Sequence, residues 1–293
     1  MFLKKVTFVM LIITFIMYIG LNFFSDQGIA DTSYSEDSVR DTYLNIMVCN
    51  KSQYYMVKKI VGERHNIQYL FNNEEKIDAF RYDKGVVDNV SNMDIFMYSG
   101  NSFENWDSAF INDLDKSKVG VINISRGIRT LNYNDETNKT NPYYWTGLEE
   151  YKIALYNIKN AIQDRDPKNR DLYEKNYNTA ISYLEQSLSI YNGKRNDLNN
   201  YIFISLDEKL AYFFRDLGID TYLLKGDSIE KYIVDNNFDL SKVVIVRDAK
   251  TEFNNPQYKL LTFESFDSNK SYEDIMFNNY KELYSLTVID KNN

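Results

Sequence analysis

The chain has 293 residues, enough for one large or two medium domains, and its 44% hydrophobic and 26% charged residues describe a globular protein with a real core. A formal net charge of −8 gives a global field that disfavours a phosphate-binding surface, so no nucleic-acid partner is expected. A single cysteine excludes an intramolecular disulfide and a cysteine-cluster zinc site, and a single histidine excludes any site that needs two imidazoles and leaves Ser-His-Asp catalysis to rest on His65 alone.

In chain order, Lys4 and Lys5 precede an apolar stretch from Val6 to Phe24, and Gly28 and Ala30 form a small-x-small pattern before Asp31. Residues 1–30 therefore read as an export signal, either a cleaved peptide or an uncleaved anchor, because the apolar run approaches the roughly 20 residues that span a bilayer. No cysteine lies in or just after this segment, so the expectation is an extracytoplasmic, cell-surface chain. It is secreted or anchored through residues 1–30 and is not a lipoprotein. Residues 31–42 are polar and read as a flexible tether.

Short apolar runs then alternate with helical patterns. Leu44 to Cys49, Asn66 to Leu70, Asp94 to Tyr98 and Val119 to Ile124 read as strands, with helices at Tyr54 to Val61 and Val86 to Val90. An amphipathic helix covers 146–163. Asp166-Pro167 reads as an N-cap and first turn, and the helical period after it continues to Asn192-Gly193, about 25 residues or roughly 38 Å. The alternation restarts with strands at Tyr201 to Ser205, Thr221 to Leu224, Val243 to Val246 and Leu260 to Phe263. Helices are predicted at Glu208 to Leu217, Ile229 to Val234 and Tyr272 to Leu286. The expected class is α/β: two lobes with parallel sheets and crossover helices, joined by one long rigid helix. The divisions are 43–165 for the first lobe, 166–192 for the interlobe helix and 193–293 for the second lobe. Ligands of such sheets bind outside the carboxyl ends of the strands, which makes the cleft between the lobes the default site. Cys49, Trp106 and Trp145 read as packing residues, and His65 beside Arg64 as a surface turn residue. Without a phosphate-binding glycine loop or a nucleophile elbow there is no case for an enzyme.

Particular motifs narrow this further. Asn141-Pro142-Tyr143-Tyr144-Trp145, a helix to Ile162, Asp166-Pro167 and Tyr173-Glu174-Lys175-Asn176 follow one another at fixed spacing. Met93 to Gly100 with Glu104 and Trp106 precede them, and Ser271 to Met276 with Asn279 follow. In order and spacing these segments resemble the solute-binding proteins of ABC transporters for zinc and manganese, over nearly all of the chain beyond the export signal. That resemblance implies a monomeric exported protein that holds a metal cation in the interlobe cleft and delivers it to an ABC permease in the membrane.

The family holds its metal with histidines and carboxylates. Carried over position by position, the resemblance places the four ligands at Asp78, Tyr143, Asp207 (or Leu206 if the loop shifts by one) and Glu264. Every histidine is replaced, and 132–140, where the family often has a histidine-rich loop, has none. An all-oxygen set favours a hard cation such as Mn²⁺, Mg²⁺, Ca²⁺ or ferric iron over zinc. The alternative is a surface scaffold of the same fold that has lost transition-metal binding. The dozen residues between the last two strands leave no room for the usual crossover helix.

Overall fold

The computed structural model describes residues 42–72, 77, 79–101, 103–133, 139–224, 226 and 228–289. Residues 1–41, which the sequence reads as an export signal and most of a tether, and Asp78 lie outside the described residues.

In the first lobe β1 (Asn45–Asn50) reads NIMVCN and is buried from its second residue onward, as a strand covered on both faces requires. It lies between β2 (Asn66–Phe71) and β3 (Ile95–Tyr98), and β4 (Gly120–Asn123) completes a parallel sheet of order β2-β1-β3-β4. Ile46 faces Ile67 on one side and Ile95 on the other, so the apolar pattern sets the register. Crossovers run through α1 (Lys51–Val61), α2 (Lys84–Ser91) and α3 (Asp107–Asp113). Helix α1 starts sharply because Asn50 accepts from the Gln53 amide while Gln53 reaches back to the Asn50 backbone, a capping box.

Two antiparallel helices follow, α4 (Leu148–Arg165) and α5 (Arg170–Ser189). The predicted helix over 167–192 is thus realised as a 3₁₀ turn at Pro167–Asn169, the 20 residues of α5, and a second 3₁₀ turn at Asn192–Lys194. Asp166 does not cap it. Its carboxylate is engaged by the Tyr173 hydroxyl and the Asn169 amide instead. The pairs Lys159–Glu174 (2.5 Å) and Lys152–Glu185 (2.9 Å) link α4 to α5. The Asn176 amide donates to the Ile60 carbonyl at 2.8 Å, tying α5 to α1.

After the short α6 (Arg195–Leu198) the second lobe repeats the strand order of the first. Strands β5 (Ile202–Ser205), β6 (Thr221–Leu223), β7 (Val243–Asp248) and β8 (Lys259–Phe263) form a parallel sheet of order β6-β5-β7-β8. Helices α7 (Ala211–Leu217), α8 (Ile229–Asp235) and the closing α9 (Tyr272–Ile289) accompany it. The chain passes from β7 to β8 in turns alone, as the short connection predicts.

The main core runs through both lobes. Trp145 is completely buried, stacks on Tyr272 at 4.8 Å, meets Phe103 edge-on at 4.8 Å, and contacts Phe266 at 5.9 Å. Phe103 follows β3 and Phe266 follows β8, so this aromatic cluster joins the lobes. It buries Trp145 as a packing residue, while Trp106 packs separately against Phe71, Phe80 and Phe110 of the first lobe. Cys49 is buried within β1, where it packs in the core.

Candidate cation-binding cleft

Strand order in each sheet reverses beside its first strand, which creates a crevice at the carboxyl ends of β1 and β3 in one lobe and of β5 and β7 in the other. The segment Asn141 to Trp145 is wedged between these ends. The Tyr144 hydroxyl donates to the Ser99 carbonyl just beyond β3 at 2.9 Å, and the Trp145 indole donates to the Ser265 carbonyl just beyond β8 at 2.8 Å. Tyr143, next to both, is 9% exposed and packs edge-on against Phe103 at 6.0 Å.

The first-lobe wall is polar and held by internal hydrogen bonds, although Asn50 Nδ2 and Asn101 Nδ2 have no hydrogen-bond partner among the described residues. Gln53 accepts from the Cys49 amide at 2.8 Å and donates to Ser99 Oγ at 2.6 Å. Glu104, fully buried, accepts from the Ser99 and Gly100 amides at 3.0 and 3.3 Å. Gly100 has φ +73°, and a Cβ there would strike Asn123 and Ser125, so this close turn requires glycine.

The second-lobe wall carries two of the predicted ligands. Asp207 follows β5. One of its oxygens accepts from the Asp248 amide and from Thr251 Oγ1, both at 3.0 Å, and the other from the Lys209 amide at 3.1 Å. Asp207 is thus a fastener for the loops after β5 and β7. Asp248, at the end of β7, accepts from the Lys250 amide at 3.1 Å and the Ser265 amide at 2.8 Å. The Lys209 ammonium lies 3.5 Å from Asp248 and 5.6 Å above the Tyr143 ring, so it connects Tyr143 to the Asp207–Asp248 loops.

Glu264 follows β8. Its backbone is held on both sides by Asn279 at 2.9 Å, and Oε1 forms an ion pair with Lys270. Oε2 is buried and has no hydrogen-bond partner among the described residues. The hydrogen bond from Lys270 to Glu264 holds the ammonium pKa above its ordinary value, against partial burial. Burial lowers that of Lys250, whose ammonium lies 5.7 Å from the centre of the Phe266 ring.

The structure therefore places Asp207 and Glu264 just beyond the carboxyl ends of β5 and β8, linked through Asp248 and the Ser265 amide, and Tyr143 in the segment between the lobes, against Phe103 and the Lys209 ammonium. Among the described residues no three His, Cys, Asp or Glu side chains are grouped to hold a metal ion, and Asp78 lies outside them. Residue spacing did not single out Asp248, Lys250 or Lys270, nor the lysine–aromatic contacts. Asp248 at the end of a strand was the one signal available, since carboxyl-end positions are where such sheets place functional groups.

His65 is not a surface residue. It is 5% exposed, and its Nδ1 accepts from the Leu44 amide at 3.4 Å. That leaves the ring proton on Nε2, 2.8 Å from the Tyr173 hydroxyl, which itself donates to buried Asp166. Burial pushes the imidazole pKa below its ordinary value. The partner that buries it comes from α5, more than a hundred residues on, so a local reading of Arg64-His65 as a turn misses it.

The family described as ZnuA: Zinc-uptake complex component A periplasmic matches residues 46–285. The chain belongs to this family. It is 21% identical over 255 residues to the high-affinity zinc uptake system protein ZnuA of Bacillus subtilis (strain 168), covering 83% of this chain and 77% of that one. It is 24% identical over 203 residues to the iron ABC transporter substrate-binding lipoprotein MtsA of Streptococcus pyogenes serotype M1, covering 65% of this chain. The match spans 64% of that relative's length, slightly under two thirds. Among solved structures, the metal-dependent lipoprotein YcdH of Bacillus subtilis shares the fold with a TM-score of 0.69 at 18% identity, covering 83% of this chain and 98% of that one.

These comparisons correct the expectation that the chain is not a lipoprotein. MtsA is named a lipoprotein, as are relatives from Lactococcus lactis subsp. lactis (strain IL1403) and Streptococcus parasanguinis, 24% and 26% identical over 59% and 54% of this chain. A missing cysteine in residues 1–30 had been made to decide the mode of attachment, and the relatives' names overturn that inference.

Proposed function

We propose that this ZnuA-family chain is a binding protein rather than an enzyme, and that it carries a hard metal cation in the cleft between its two sheets to an ABC permease in the membrane. Asp78, Tyr143, Asp207 and Glu264 are the proposed donors, acting in a monomer. The observation that carries this reading is the position of Asp207 and Glu264 just beyond the carboxyl ends of β5 and β8, with Tyr143 in the segment between the lobes, together with a buried Glu264 oxygen that has no hydrogen-bond partner among the described residues. An unpaired buried carboxylate oxygen is costly, and a cation relieves that cost. The zinc, iron and metal transport named for the relatives supports a metal as cargo. All-oxygen donors favour Mn²⁺ or iron over Zn²⁺ in this chain.

A thermal melt tests the reading. At a cation concentration of about 100 times its dissociation constant, binding to the native state adds about 2.7 kcal/mol. For a protein of this size that raises the melting temperature by roughly 5–10 °C. Millimolar Mn²⁺ is expected to produce the rise in wild type and a much smaller one in Glu264→Gln. Absence of any shift with Mn²⁺, Ca²⁺, Mg²⁺ or ferric citrate refutes cation carriage. Nanomolar Zn²⁺ affinity refutes the hard-cation preference.

A further inference from the structure

The proposed ligand Glu264 already has a cation. The Lys270 ammonium pairs with Glu264 Oε1 and lies 3.6 Å from Asp267. The chain between them, 264–271, is a strap that leaves β8, crosses to the first lobe and returns as α9. The first lobe holds the strap by its backbone. Ser52 Oγ, in the first turn of α1, is 2.8 Å from the Lys270 carbonyl and 3.2 Å from that of Asp267. Ser268 Oγ donates to the Asn72 carbonyl beyond β2 at 2.8 Å. Lys270 is therefore placed over Glu264 by contacts that span the cleft and not by its own flexible side chain alone.

Resting on the cation reading above, we propose that Lys270 is a built-in competitor for the cargo. Its ammonium neutralises Glu264 in the cation-free cleft, and loading requires it to swing away so that both Glu264 oxygens face the metal. Lysine suits the task. Its ammonium is a compact point charge on a flexible stem, able to leave without disturbing the strap, whereas a guanidinium forms a planar fork that would grip both oxygens. Such a device sets specificity by charge density. A monovalent ion gains little by replacing one positive charge with another, while a divalent ion gains an extra charge on a carboxylate whose second oxygen has no hydrogen-bond partner among the described residues. It also lowers affinity, as a carrier that must give up its cargo needs.

The pair is partly exposed, 34% for the Lys270 side chain and 28% for that of Glu264, so its removal should alter affinity by about tenfold and not by several orders of magnitude. The experiment is calorimetric titration of the full chain with MnCl₂ at fixed pH and ionic strength, for wild type, Lys270→Met, Lys270→Gln and Glu264→Gln. Both Lys270 variants are expected to bind Mn²⁺ about tenfold more tightly than wild type, to lose discrimination against Na⁺ and K⁺, and to melt lower without Mn²⁺ because Glu264 is left unpaired. Lys270→Gln carries the test if Lys270→Met does not fold. If wild type binds Mn²⁺ in a Glu264-dependent way and both Lys270 variants bind equally or more weakly, the competitor role is wrong and cation carriage stands. If neither wild type nor the Lys270 variants bind Mn²⁺, both fall.

Discussion

Replacing Tyr173 by phenylalanine deletes one oxygen atom from the centre of a buried relay. The hydroxyl accepts from His65 Nε2 at 2.8 Å and donates to Asp166, and none of the three residues is more than 5% exposed. Ring volume is kept, so the cost comes from hydrogen bonds and not from a cavity. The bond to the ionised carboxylate contributes about 1.5–3 kcal/mol and the bond from the neutral imidazole about 1 kcal/mol. Little compensates. Asp166 keeps the Asn169 amide at 2.8 Å and the Arg64 guanidinium at 4.0 Å, but its Oδ1 has no hydrogen-bond partner among the described residues, and the His65 nitrogen is 3.6 Å from Oδ2, beyond hydrogen-bond range. The expected loss is about 2.5–4 kcal/mol. Urea unfolding of wild type and Tyr173→Phe with an unchanged m-value measures it directly, and the melting temperature should fall by roughly 5–15 °C. Tyr177→Phe is the control, because that half-buried hydroxyl has only a 3.5 Å contact with the Lys152 carbonyl. A Tyr173→Phe variant within about 0.5 kcal/mol of wild type would show that the relay contributes nothing to the fold.

Two further outcomes follow from the same contacts. His65 has a pKa lowered by burial in the fold, so the unfolded chain takes up its proton first as pH falls below about 6.5. Stability should therefore decline from neutral pH towards pH 5. His65→Gln should flatten that decline, and urea midpoints at pH 7.5 and 5 that move equally in both proteins would contradict it. Asp207→Ala removes the acceptor for the Asp248 and Lys209 amides and for Thr251 Oγ1, and is expected to lose about 2–4 kcal/mol in the absence of any cation. Chemical denaturation checks this, and an unchanged midpoint would mean that Asp207 does not fasten the loops.

The two parallel sheets, most of the helices beside them and the bare β7–β8 connection were legible in the sequence, whereas α3 and the first turn of α1 were not. The legible elements follow from local signals: apolar runs of strand length such as Ile46 to Cys49 and glycine after α7 at Gly218. The spacing of Asn141 to Trp145 ahead of Asp166-Pro167 carried the family, because those residues sit at fixed points between two rigid sheets. What each polar side chain does was left to the tertiary structure. His65 read as a turn residue is one end of a buried network, because Tyr173 reaches it from α5 and passes its own hydrogen bond on to Asp166 in the turn before. Asp166 read as a helix cap is drawn away by the same network. Asp207 read as a free ligand binds three donors from its own lobe, and Glu264 is met by a lysine that Ser52 of the other lobe holds over it through the strap backbone. Strand and helix formation depends on neighbours within a turn or two, which a sequence displays. The pairing of charges and hydrogen bonds in a cleft depends on residues brought together from opposite ends of the chain, and only the folded backbone brings them within 3 Å of one another.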